Sequence, residues 1–431
     1  MKGGRCRPAG SKRSFGAIFA LFAIFALVVL AVVAFSPGYA AAEEGWLREE
    51  LLAGVDRIYN LDIEGGERIF LGISKKAPEN PAPWIYRAMA LISRPPRDGE
   101  EFDSKVEGIL GLLETGIDLS EKFIEGQKGE DLGRAKLLMA TAHALKAELF
   151  LRQKRYLKSV ESGFRSMRYL DDAHKTSPND PDILYAVGLL KYGSANVPGV
   201  LRPFLALAEL RPDKKLGLSY IRIGAKRGVY SAGGAKFFLM LVSINELEDF
   251  TTAARLGGEL IRKYPNNPEV YFPYAYALSE LGDYEGAFSA VDAFREKAKA
   301  ATPYFDDAVA GRLHHLVGKI LMDMGRLEGA VDELEKALVV TDTNYDWVRP
   351  LALARIGMIH DLRGEREEAL RRYRETVDSG IEGAGKALAE KYLKEPYSKK
   401  GVKKGEKPNA KDKGGGTSSG PFKSGKKKSG F

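Results

Sequence analysis

The sequence predicts an all-α chain, a right-handed superhelical solenoid of antiparallel helix pairs, and three observations predict it. Four alanines, Ala253, Ala287, Ala330 and Ala369, fall at separations of 34, 43 and 39 residues, near the repeat length of paired-helix solenoids. Three of them close one short pattern: Gly282-Asp283-Tyr284-Glu285-Gly286-Ala287, Gly325-Arg326-Leu327-Glu328-Gly329-Ala330 and Gly364-Glu365-Arg366-Glu367-Glu368-Ala369. Seven residues before each of these glycines stands a second small residue, Ala275, Gly318 or Gly357, preceded by Tyr274, Val317 or Ile356. The glycine ends one helix, the next residues turn, and the small residues let the two helices of a pair approach closely.

This arrangement resembles the tetratricopeptide repeat. The family pattern places a large residue and a glycine in the first helix, Gly-x-Tyr-x-x-Ala across the turn, and a large residue in the second helix. Val291, Leu334 and Tyr373 take that last position, and Pro265-Asn266-Asn267-Pro268 supplies a helix exit. The unit around Ala253 departs from the pattern, with Glu248 for the turn glycine and Gly257 for the large residue. The spacing through residues 295–310 is also long, implying an extended second helix or loop.

Upstream the units are looser. Residues 58–81 read as a helix end, a turn and a second helix closing at Pro78. Residues 135–192 hold a helix through Leu151, a turn near Tyr156, a long helix, the exit Ser177-Pro178-Asn179-Asp180-Pro181, and a new unit opening at Val187-Gly188. Asn196-Val197-Pro198-Gly199-Val200-Leu201 interrupts that unit, and helix resumes from Lys214. With Ile58-Tyr59-Asn60-Leu61-Asp62 early and Ala235-Lys236-Phe237-Phe238-Leu239 later, this layout is similar to bacterial relatives of the tetratricopeptide repeat protein 39 family. The organisation expected is a leader over 1–42, divergent repeats over 43–233 with an insertion near 193–213, tetratricopeptide-like repeats over 234–395, and a Lys/Gly/Ser-rich tail over 396–431.

The ends differ in character from the body. Ser14 to Phe35 is uncharged, follows five basic residues, and is succeeded by Ala40-Ala41-Ala42, the outline of an export signal. Its 22 residues also suffice to span a bilayer as an anchor. Either outcome carries residue 43 onward across the inner membrane, so the expected location is periplasmic or membrane-anchored with the body outside the cytoplasm.

Of the net charge of +8, the first thirteen residues contribute +5 and residues 396–431 contribute +9, which leaves −6 for residues 14–395. A mildly acidic body disfavours a nucleic-acid groove. The tail is too poor in apolar residues to bury a core and is expected to be disordered. It reads as a solubilising end or as a polybasic arm for an anionic surface. The lone Cys6 stands before the apolar run, not after it as in a lipoprotein, so the body has no thiol for disulfides, catalysis or metal.

No catalytic constellation emerges. Neighbouring His314 and His315 diverge by about 100° on a helix and do not share a metal easily. Histidines 143, 174 and 360 have no clustered ligands nearby in sequence, and the acid pairs Asp171-Asp172 and Asp306-Asp307 read as solvated faces or caps. Gly380-Ile381-Glu382-Gly383-Ala384-Gly385-Lys386-Ala387 has the outline of a phosphate loop. It lacks the terminal Ser or Thr and follows a helix, so its glycines read as helix terminators. A binding protein is therefore expected: no enzyme, no cofactor and no metal.

The resemblance implies a concave surface for a protein partner. The matching first-helix positions are Phe238, Asn245, Phe272, Tyr276, His315, Lys319, Arg355 and Met358. None of the pairs along these helices supplies the Lys and Asn that some family members use to hold an acidic carboxyl terminus. The alternative function is a small-molecule-binding accessory of an envelope transporter, its apolar pocket closed by the insertion at Val197–Leu207.

Overall fold

The structure is a computed structural model that describes residues 45–94, 102–195, 211–305, 307–339 and 347–398. The leader, the Val197–Leu207 insertion and the tail beyond Ser398 lie outside the described residues. Those described contain no strand, and none of their helices is long and apolar enough to cross a membrane.

Antiparallel pairs follow one another along the chain: α1 (Gly45–Tyr59) with α2 (Ile63–Lys76), α3 (Ala82–Ile92) with α4 (Phe102–Ile124), α5 (Gly129–Arg152) with α6 (Tyr156–Thr176), and α7 (Pro181–Ala195) with α8 (Lys214–Arg227). Then come α9 (Ala232–Asn245) with α10 (Phe250–Lys263), α11 (Tyr271–Glu280) with α12 (Tyr284–Lys299), α13 (Asp307–Asp323) with α14 (Leu327–Val339), and α15 (Val348–Arg363) with α16 (Arg366–Asp378). A last helix, α17 (Ala384–Lys394), caps the stack by packing on both α15 and α16. The architecture is an all-α helical solenoid.

The repeat register follows directly from packing. Ala253, Ala287, Ala330 and Ala369 are fully buried, one in each second helix from α10 to α16. A methyl group added to Gly318 would lie 2.6 Å from Leu334 Cγ, and one on Gly357 would lie 2.6 Å from the Tyr373 ring. The small residue of the first helix is thus the seat for the large residue of the second. The pattern inverts where the sequence departs: Gly257 of α10 receives the Tyr274 ring, and a methyl there would lie 2.7 Å from it.

Turn geometry repeats even where glycine does not. Gly282, Gly325 and Gly364 adopt left-handed backbone with φ of +79°, +77° and +81°. Leu61, Lys154 and Glu248 hold the same place in the α1–α2, α5–α6 and α9–α10 turns, with φ of +56°, +59° and +50°. In three of these turns the next residue is an aspartate that accepts a backbone N–H of the second helix: Asp62 from Gly65, Asp249 from Thr252 and Asp283 from Gly286, all at 2.9–3.0 Å. The caps and closing backbone bonds stabilise a conformation that costs an L-residue about 1–2 kcal/mol. Gly380, with φ +69°, ends α16, and α17 starts at Ala384. Gly380 and Gly383 of the phosphate-loop lookalike therefore lie in a helix–helix connection, and Gly385 lies in the first turn of α17.

The first five pairs close on themselves. Lys263 Nζ and Tyr264 Oη both reach Asp56 Oδ1 at 2.8 Å, Asn266 N donates to Asn60 Oδ1 at 2.9 Å, and Asn267 Nδ2 donates to the Tyr59 carbonyl at 2.9 Å. Helix α9 packs on α1 across this seam. Gly233 and Gly234 make room for rings there, since a methyl on Gly234 would lie 2.8 Å from Tyr59 Oη and one on Gly233 2.9 Å from Tyr264 Oη. One core runs continuously from Leu47 to Ala277. Packing thus joins the fifth pair to those before it. Pairs six to eight extend beyond this closed part with their own cores, and Arg312 anchors α13 to it through two hydrogen bonds to Glu269, at 2.9 and 3.0 Å.

Candidate functional site

First helices α9, α11, α13 and α15 pack side by side, so residues spaced by four along each one form neighbouring stripes. On α11 the stripe is Phe272, Tyr276 and Glu280; on α13 it is His315, Lys319 and Asp323; α15 contributes Arg355. Phe272 stacks on Tyr276, with ring centroids 6.4 Å apart and planes 18° apart. Trp347, just before α15, meets Phe272 and His315 edge-on, each at 5.8 Å. Phe250, at the start of α10, meets Tyr276 at 6.3 Å.

Five of the eight expected surface residues, Phe272, Tyr276, His315, Lys319 and Arg355, thus form one cluster. The other three go elsewhere. Phe238 is half-buried against Tyr192 of α7, with rings 5.5 Å apart and nearly perpendicular. Asn245 is exposed at the end of α9, where its Nδ2 donates to the Leu241 carbonyl at 2.9 Å. Met358 is buried in the core of the last pairs and offers no surface to a partner, because it lies on the side of α15 turned into the stack.

The two cations of the cluster have opposite surroundings. Lys319 is buried but satisfied: its Nζ lies 2.6 Å from Glu280 and 2.6 Å from Asp323, donates to Ser279 Oγ at 3.4 Å, and stands 5.2 Å from the centre of the Tyr276 ring. Arg355 is half-buried, and no carboxylate among the described residues reaches within ion-pair distance of it. Its guanidinium donates to Nε2 of His315. Burial pulls Arg355 below the usual guanidinium range, opposed at longer range by Tyr276, Asp323 and Glu280. A guanidinium nevertheless stays charged.

Arginine only donates, so Nε2 of His315 accepts and the neutral ring carries its proton on Nδ1. Burial, then the nearby charges of Arg355 and Lys319, push His315 well below the ordinary imidazole range and keep it neutral. Its Nδ1–H is buried without an acceptor among the described residues. Such an orphan donor costs about 1–3 kcal/mol and marks a place held against local stability. Burial, with Glu280 close by, likewise raises Tyr276 to about 12, so its phenol stays protonated.

The far edge of the cluster is formed by the segment after α17. Asp361 accepts from Arg366 Nη1 at 2.9 Å, from Tyr373 Oη at 2.8 Å and from the Tyr397 backbone N–H at 2.8 Å. This hub folds the segment back, close enough for Tyr397 to be coupled electrostatically to Asp323 and Arg355. Glu280, Asp323, Trp347 and Tyr397 were not among the residues singled out by register. The first two continue the stripes one turn further, a spacing legible in sequence; Trp347 and Tyr397 lie outside the repeat pattern.

Two of the remaining histidines, His143 and His174, share with His315 a buried Nδ1 without a hydrogen-bond partner among the described residues, and all four have a ring or carboxylate neighbour. His314 Nδ1 is 2.8 Å from Glu333, His360 Nδ1 is 2.6 Å from Glu365, His143 stacks on Tyr169, and His174 meets Tyr220 edge-on.

No family model and no curated protein matches this chain. Among solved structures, the chain is similar to human IFIT1, determined as a dimer with PPP-AAAA, at 14% identity and a TM-score of 0.35, over 75% of this chain and 70% of that one.

Proposed function

We propose that the chain is a scaffold that binds an extended, acidic segment of a protein partner along α11, α13 and α15, with Arg355 holding a carboxylate. The observation that carries this reading is the contrast between Lys319 and Arg355. Two cations share one cluster, yet both carboxylates are committed to Lys319, and the hydrogen-bond partner of Arg355 among the described residues is a neutral imidazole. A guanidinium recognises carboxylate through paired N–H donors. Phe272, Tyr276 and Trp347, linked to its partner His315 by ring contacts, supply apolar surface in the same cluster. This differs from the Lys and Asn clamp of other repeat proteins. His315 is a positioning residue, since its Nε2 fixes the guanidinium.

The leader supports a partner in the cell envelope, met either in the periplasm or at the inner membrane. The reading is one of binding and not of catalysis: the cluster holds a neutral histidine, a satisfied lysine and a protonated tyrosine, with no activated nucleophile.

Selection of a random-peptide phage library on the full-length protein tests this directly. Enriched peptides should carry Asp, Glu or a free carboxyl terminus next to apolar residues. Arg355→Ala should weaken a selected peptide about 10- to 100-fold, the loss of one charge-assisted contact. Enriched peptides without a carboxylate preference, or unchanged affinity in Arg355→Ala, would refute it. Retention of oligonucleotides in place of acidic peptides would refute it equally.

A further inference from the structure

Helix α6 presents its residues in reverse. Its buried side is made chiefly of small residues, Ser159, Ser162, Gly163 and Ser166, followed by Leu170 and Ala173. These seat it closely on α5, where Ser159 Oγ donates to the Ala147 carbonyl at 2.8 Å and Ser166 Oγ to the Ala140 carbonyl at 2.7 Å. The large apolar residues of its first three turns point outward instead. Leu157 is 88% exposed, Tyr156 45%, Val160 43% and Phe164 41%. At helical spacing these four occupy an arc of about 100°, a contiguous face rather than scattered apolar residues.

Beside that face stands a basic rim. Between residues 154 and 168 the chain carries Lys154, Arg155, Lys158, Arg165 and Arg168 against Glu161 alone, a net of +4 on a body whose net charge is −6. Arg165 is paired with Glu161 at 2.8 Å, while Arg155 and Lys158 lie over the Phe150 ring at 4.8 and 5.8 Å.

We propose that this face of α6 rests on an anionic lipid surface. Leu157, Val160 and Phe164 enter the headgroup boundary, Tyr156 sits at the interface, and the basic rim meets lipid phosphates. An apolar stripe bordered by Lys and Arg is the composition of helices that lie in a membrane interface. Charge selects this occupant over the others. A second copy placed symmetrically on the same face would bring two basic rims together. The chain's own apolar segment 196–210 carries Arg202 and Glu209 as its charged residues, so it offers the rim no net negative charge.

The test uses the full-length chain with Cys6→Ser and one new cysteine, Leu157→Cys, carrying an environment-sensitive fluorophore. Vesicles of phosphatidylglycerol and phosphatidylcholine should shift its emission to the blue, and brominated acyl chains should quench it. Pure phosphatidylcholine, or salt at about 0.5 M, should remove the effect. The same label at Leu281→Cys, also exposed but on the α11–α12 turn, should stay unchanged. With the label moved to Val160→Cys, Leu157→Asp with Phe164→Asp should lower the shifted fraction about tenfold. A silent label at 157 while the protein sediments with vesicles would overturn the proposal, attributing binding to the leader or the tail. A blue shift before vesicles are added would also overturn it: one that depends on concentration identifies a second copy, one that does not identifies the chain's own segment.

Discussion

Gly357→Ala adds one methyl group where α15 lies against α16. Two effects compete. Replacing glycine by alanine within a helix stabilises it by about 1 kcal/mol, because the unfolded chain loses freedom. Against this, the new Cβ would lie 2.6 Å from Tyr373 Cε1, 2.9 Å from Cδ1 and 3.1 Å from Cζ, distances at which the ring must move. That ring is fully buried, and its hydroxyl donates to Asp361 Oδ2 at 2.8 Å. It cannot swing aside without straining a bond to a charged acceptor, worth about 1.5–3 kcal/mol. Overpacking of this kind costs about 1–3 kcal/mol before that bond is counted, so the variant should be less stable by about 1–3 kcal/mol. Gly72→Ala in α2 is the control: no atom lies within 4 Å of the added methyl, so it should stabilise by about 0.5–1 kcal/mol. Repeat arrays do not unfold as a single cooperative unit, so urea unfolding should be read together with hydrogen-exchange protection of α15 and α16. Tyr373→Leu should remove most of the penalty when combined with Gly357→Ala. Gly357→Ala as stable as wild type, with Gly72→Ala behaving as stated, would show that the two helices do not approach as described.

Two further outcomes follow from the closed part of the fold. Glu248→Gly relieves a left-handed residue at φ +50° and should raise the urea midpoint of the α9–α10 region by an amount equivalent to about 1 kcal/mol; a lower midpoint would mean that the side chain contributes more than the backbone costs. Asp182 is buried on α7 and accepts from Ser231 Oγ, Ser231 N and Val229 N at 2.5, 3.0 and 3.2 Å, yet burial outweighs these bonds and raises it from 3.8 to about 6. The folded protein therefore holds this proton more tightly than the unfolded chain. Its contribution to stability is fully present below pH 4 and is lost as pH rises through about 6, by about 2–3 kcal/mol. Asp182→Asn should flatten the pH 4–7 dependence of the melting temperature, and a profile as steep as wild type would assign that slope to other groups.

Much of the solenoid could be read without coordinates because a repeat states the same contact several times. Ala287, Ala330 and Ala369 share a spacing from their turn glycines, and each is buried at the same point of its pair. The earlier turns were harder to see, since Leu61, Lys154 and Glu248 take the left-handed conformation without being glycine. Stripe spacing located Phe272, Tyr276, His315, Lys319 and Arg355 on neighbouring first helices. It could not say that Met358 turns into the core, nor that Trp347 and Tyr397 complete the cluster from outside the repeats.

By itself, then, the sequence determined the pairing of helices, the register of small against large residues, and the separation of an acidic body from basic ends. These are local properties, set within about 40 residues by periodicity and turn chemistry. Tertiary structure alone decided the rest. Asp56 meets Lys263 and Tyr264 across more than 200 residues, so curvature summed over five pairs, not any motif, closes the first part. The same summation settles which side of α6 is buried: close seating through Ser159 and Ser166 turns Leu157 and Phe164 outward, although composition alone would have buried them. It also assigns both carboxylates of the α11–α13 cluster to Lys319 and pairs Arg355 with His315, a distinction made by distances that residue types do not contain.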